Sequence, residues 1–203
     1  MTGASGVIGT PTTVTAIRSR IRTWTLLWLL LFLLSLVLWV GFLTAGGIFY
    51  VLSDAVALLL ALAFVPVIVG YNALLRPSAG GRSQAAMWTG LVGMAITVAG
   101  SLVLLTSDVL GGAVPGGVGL AMQIVGFGLQ GAWFVLLGVL VSRVGLFSRR
   151  VVVVSYLAGV GFLLVLVGSP FGPEHPLVAV GGLISVVAFV LWAIWTRKEL
   201  QQP

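Results

Sequence analysis

Gln123 and Gln130 are the polar pair most open to a chemical reading. They stand seven residues apart in an otherwise apolar run, and a seven-residue step returns to the same face of an α-helix. Gly126 falls between them on that face, and Trp133 continues it by one turn. A primary amide carries two N–H donors and a carbonyl acceptor. Turning it toward hydrocarbon is costly, so both side chains are expected to point into a bundle of helices. There they can hydrogen-bond neighbouring helices while Gly126 admits a close backbone approach, which is the expected role. The sharper alternative is a polar pocket walled by Trp133. The candidate ligand-binding residues are therefore Gln123, Gln130 and Trp133.

Other chemistry-bearing residues are sparse. Asp54, Asp108, Glu174 and His175 are spread over the loops expected outside. Hard cations favour carboxylate oxygens, and the four could converge on one. Their spacing has no motif character, however. Helix capping by Asp54 and Asp108, with a solvated Glu174 and His175, is the expectation, and no metal site is assigned. A single His excludes bis-histidine haem ligation within one chain. The chain has no Cys, which removes disulfides, thiolate metal sites and thiol nucleophiles. No apolar run carries an ionisable residue in its middle, as proton-coupled pumps and charged-substrate carriers typically require. No Ser/His or paired-carboxylate arrangement can be built within the membrane. The expectation is no catalytic residue, no cofactor and no enzymatic activity.

Six apolar runs must position these residues, at about 24–43, 54–75, 85–106, 118–141, 151–168 and 177–195. Near twenty residues at about 1.5 Å each cover the ~30 Å hydrocarbon core. Composition agrees. The chain is 60% hydrophobic and 7% charged, where a soluble domain carries about 25% charged residues, so most of its surface must face lipid. The expected fold class is all-α, a polytopic bundle of six transmembrane helices. It forms one domain, 15–200, behind a flexible cytoplasmic tail, 1–14. The first run exceeds the usual ~7–15-residue core of a signal peptide and lacks a nearby small-x-small cleavage site, so it is expected to be retained.

The ten Lys and Arg residues set the orientation. Arg18, Arg20 and Arg22 precede the first run, and Arg76 and Arg82 separate the second from the third. Arg143, Arg149 and Arg150 separate the fourth from the fifth, and Arg197 and Lys198 follow the sixth. Lys and Arg are retained on the cytoplasmic side during insertion, which places both termini inside (N-in/C-in) and loops 44–53, 107–117 and 169–176 outside. The expected setting is the plasma membrane of a prokaryote. The same asymmetry accounts for the pI of 11.2, so nucleic acid is not an expected partner. The expected partners are the lipid bilayer and other membrane subunits or further copies of the chain.

Local signals refine the elements. Gly46 and Gly47 disfavour helix, and Ser53 or Asp54 can cap the second helix. Pro66 lacks an N–H and frees the Leu62 carbonyl, which predicts a kink. Residues 76–84 read as a short polar turn. Tyr71 and Asn72 read as interfacial anchors, as do Trp24, Trp28, Trp88, Trp192 and Trp195 at the inner boundary and Trp39 at the outer one. Small residues at helical spacing, Ala57 with Ala61 and Gly93 with Thr97 and Ser101, suit close helix packing. A faint repeat links NALLR, GVLVSR and AIWTR at the ends of the second, fourth and sixth runs.

Residues 131–168 and 188–200 carry W-x4-G, a basic turn, Y-x-A-G and a terminal W-x2-W ahead of basic residues. In these features the chain resembles uncharacterised six-helix integral membrane proteins of bacteria and archaea. The resemblance implies a six-helix fold and no particular activity. The expected function is that of a non-enzymatic structural or accessory subunit acting through helix packing. The rival reading is a carrier or receptor for a neutral or apolar small molecule or lipid, using Gln123, Gln130 and Trp133.

Overall fold

The computed structural model describes residues 11–45, 48–109 and 116–201. Six helices account for nearly all of them: α1 (Pro11–Ala45), α2 (Ile48–Ala79), α3 (Gly81–Val109), α4 (Gly116–Val144), α5 (Arg149–Gly168) and α6 (Pro176–Glu199). A 3-10 turn, Ser169–Phe171, precedes α6, and there is no strand among the described residues. All six helices are long and apolar enough to cross a membrane. The protein is a polytopic all-α membrane protein.

Most helices outrun the apolar segments that define them. α1 begins at Pro11, where the missing N–H falls among the donors that any helix start leaves unpaired. Residues 11–14 are therefore helical, not part of a flexible tail, and residues 1–10 lie outside the described residues. α2 starts at Ile48, so Ser53 and Asp54 stand in its second turn and neither is its N-cap. Asp108 lies in the last turn of α3, with its side chain outside the described residues. Pro66 sits within α2 without ending it.

The polar segment 76–84 contracts to one residue between helices. Gly80 adopts φ +51° and donates its N–H to the Arg76 carbonyl at 2.9 Å. Gly145 ends α4 in the same manner, with φ +68° and a 3.0 Å bond to the Val141 carbonyl. Left-handed backbone is cheap for glycine and costly for residues with a Cβ, so each glycine stops its helix sharply. Ser83 then ties α3 to α2 by donating to Asn72 Oδ1 at 2.7 Å.

Each helix packs against the next in the chain, and these short connections make neighbours antiparallel. The succession from α1 to α6 closes sparsely, α6 against α1, and α2 also reaches α4. Because direction alternates, all the Lys and Arg residues gather at one end of the bundle. Glycine pairs set three of the close approaches. A Cβ on Gly100 would lie 2.7 Å from the Gly119 carbonyl, across α3 and α4. One on Gly159 would lie 2.7 Å from the Gly131 carbonyl, across α4 and α5. One on Gly161 would lie 2.8 Å from the Gly181 carbonyl, across α5 and α6. Such pairs let backbones touch where lipid offers no hydrophobic force to drive helices together.

Side-chain contacts also hold the starts of α6 and α5. His175 precedes Pro176 and its Nδ1 accepts the Leu177 N–H at 3.3 Å, so this residue is the α6 N-cap and not a freely solvated side chain. At the basic end, Glu199 of α6 accepts the Ser148 N–H at 2.7 Å and the Ser148 hydroxyl, which anchors the start of α5.

Candidate functional site

Aromatic rings fill the half of the bundle nearer the basic end. Phe64 meets Trp133 edge-on at 5.3 Å, and Trp133 meets Phe134 at 4.8 Å. Phe134 stands at 88° to Trp192, 5.1 Å away. Tyr71 joins this group and donates its hydroxyl to Thr196 Oγ1 at 3.3 Å. Such edge-to-face contacts match the positive rim of one ring to the negative face of another. Trp28, Tyr71 and Trp192 are thus buried core residues, not interfacial anchors. Trp39 and Trp88 are more than half exposed, as residues facing lipid or its boundary would be.

Beyond this core lies a cavity of about 220 Å³ bordered by side chains of all six helices. Five aromatic rings, Trp28, Phe32, Phe127, Phe162 and Phe189, stand in its wall. Its polar groups are Ser35, Thr97, Gln130 and Ser185, and no ionisable side chain borders it. α3 and α4 place the amide. Gly126 would bring a Cβ within 2.2 Å of Thr97 Oγ1 and 2.9 Å of the Gly93 carbonyl, so only glycine allows this approach. One turn on, Gln130 donates from Nε2 to Thr97 Oγ1 at 3.0 Å.

That bond fixes which way the amide faces. The Thr97 hydroxyl spends its one proton on the Gly93 carbonyl at 2.9 Å, so it can only accept from Gln130. The Gln130 nitrogen therefore faces Thr97. Its Oε1 carbonyl accepts no hydrogen bond among the described residues, and the residue borders the cavity. Ser185 donates to the Gly182 carbonyl at 2.9 Å but keeps its lone pairs. Ser35 makes no side-chain hydrogen bond among the described residues.

The three candidate residues thus separate. Gln130 borders the cavity. Gln123 donates to Ser101 Oγ at 2.9 Å and ties α4 to α3 away from it. Trp133 belongs to the aromatic core and does not border this cavity. Sequence reasoning missed Phe127, Phe162, Ser35 and Ser185. Phe127 was within reach, since it lies three residues before Gln130 on the same helix face. Ser35 and Ser185 gave little signal, because a serine in an apolar helix usually bonds its own backbone.

The chemistry available is recognition. The lining groups can accept or donate neutral hydrogen bonds and offer apolar contact. They hold no countercharge for an ion and no titratable group to move a proton. His175, Asp54 and Glu174 are not among the lining residues, and no cluster of metal-ligating side chains occurs among the described residues. The resemblance of residues 131–168 and 188–200 remains an expectation. The chain matches no protein-family model, no curated protein and no solved structure.

Proposed function

We propose that this membrane protein is a non-enzymatic binding protein or carrier for a neutral, largely apolar molecule of the lipid class, held in the central cavity. One observation carries the reading: an apolar cavity bordered by all six helices is lined by one amide side chain, Gln130, whose carbonyl accepts no hydrogen bond among the described residues. An apolar pocket with few convergent polar groups is the usual form of a small-molecule site. A charged ligand would lose its hydration there without compensation. The orientation proposed is N-in/C-in in the plasma membrane of a prokaryote, which the gathering of cations at one end supports. The test is mass spectrometry of organic extracts from gently purified protein. An uncharged lipid or other neutral apolar molecule, present in stoichiometric amount, is the expected result. Protein that is free of such a molecule, and that binds none from a neutral-lipid mixture, would remove the reading.

The second reading is a structural or accessory subunit. α1 favours it, since only 17% of its most apolar window is buried against 56% for α4. That share is the lowest among the six helices, which leaves α1 the most open to another membrane subunit or a second copy. Cross-linking from Val37, which is 67% exposed, tests this directly.

A further inference from the structure

We propose a second binding site, for the phosphate group and one acyl chain of an anionic phospholipid, in the groove between α3 and α4 at the basic end. This site is separate from the central cavity. Arg82, in the first turn of α3, and Arg143, in the last turn of α4, both border a groove of about 190 Å³. Below them the lining is wholly apolar: Ala85, Ala86, Leu136, Val139 and Leu140. Ala86 and Leu140 are buried and form the floor, while Ala85 and Leu136 are exposed at the rim. The groove therefore opens on the flank of the bundle that faces lipid. Two alanines, side by side on α3, make the trough, where larger side chains would fill it.

Charge selects the occupant. Both guanidinium groups are exposed, and no carboxylate borders the groove. A basic recess between the start of α5 and the end of α6 differs. There Arg150 and Lys198 share the wall with Glu199, which already binds Ser148. Arg82 also lies at the positive end of the α3 dipole with no acidic residue in the first turn, a placement that a nearby anion relieves. Two guanidiniums over a short apolar trough match a molecule with a phosphate at one end and the upper part of a chain at the other. Arginine's planar donors suit phosphate oxygens, and basic residues at a membrane surface draw anionic lipids.

Native mass spectrometry of the full chain tests this, with phosphatidylglycerol and phosphatidylcholine of matched chains as probes. Wild-type protein should retain one phosphatidylglycerol in preference to phosphatidylcholine. Affinity should fall about fivefold for Arg82→Gln or Arg143→Gln and about thirtyfold for the pair. Arg76→Gln, at the same end but outside the groove, should leave it unchanged. Ala85→Phe keeps both charges and fills the trough, so it should also weaken phosphatidylglycerol. Inorganic phosphate should compete poorly, since it lacks the chain. Equal losses in the Arg76 and Arg82 variants would reduce the effect to diffuse charge and overturn the site. So would an Ala85→Phe protein that binds as wild type, or displacement of the lipid by phosphate alone.

Discussion

Trp28 of α1 lies against Phe189 of α6 with ring centres 4.4 Å apart and planes inclined by 27°. Phe32 stacks on the same Phe189 at 5.8 Å. These rings join the first helix to the last, where helix contact is otherwise sparse. They also form part of the cavity wall, so closing the bundle and shaping the cavity depend on the same side chains.

Trp28→Ala should therefore lower stability by about 3–5 kcal/mol, the usual cost of deleting a buried indole. Trp39→Ala, on the same helix but 54% exposed, should change it little. Thermal unfolding in detergent, followed by loss of monodisperse protein, compares the two. Equal melting temperatures would mean that α1 is not held through this stack.

Gly181 and Gly182 are adjacent, yet their environments are opposite. A Cβ on Gly181 would meet the Gly161 carbonyl at 2.6 Å, whereas one on Gly182 meets nothing within 4 Å. Gly181→Ala should cost about 1–3 kcal/mol by forcing α5 and α6 apart. Gly182→Ala should stabilise by up to about 1 kcal/mol, because alanine is the better helix former. The sign of each change in melting temperature checks the packing of this helix pair.

The six helices were legible because hydrophobic length alone defines a membrane span. Rotation about each helix axis was not, and the misread residues follow from that. Trp28, Tyr71 and Trp192 lie at depths that suit interfacial anchors, but they turn inward, which depth alone does not reveal. In helices apolar on every side, inner and outer faces look alike. Gln123 and Gln130 escaped this ambiguity, since amides avoid lipid and so mark the inward face of α4. Ser53 and Asp54 were misread for a different reason. The apolar stretch Ile48–Leu52 carries the helix past the polar pair that resembled its start.

Orientation in the cell has its own measurement. Glu174 is exposed in the connection before α6, and Ser78 is exposed in the last turn of α2 at the basic end. In a chain without native Cys, Glu174→Cys should react with an impermeant maleimide on intact cells. Ser78→Cys should react only after lysis. The reverse pattern would invert the proposed topology, and with it the leaflet that meets Arg82 and Arg143.

The two glutamines should separate packing from binding. Gln123 holds Ser101, so Gln123→Leu removes one hydrogen bond between α3 and α4, about 0.6 kcal/mol for an average bond in a membrane. The freed Ser101 hydroxyl can turn back to its own helix, so the variant should fold and keep any bound molecule. Gln130→Leu leaves the Thr97 proton on the Gly93 carbonyl, so this variant should fold as well. It removes the amide from the cavity lining, however. A ligand donor that relied on it would be stranded in an apolar site, at a cost of about 1–3 kcal/mol, roughly a 5- to 150-fold loss of affinity. The measurement is the amount of neutral molecule extracted per mole of each folded variant. Depletion in the Gln130 variant alone is expected. Equal retention in both would return Gln130 to the role of Gln123, a tie between helices, and leave the subunit reading as the better account.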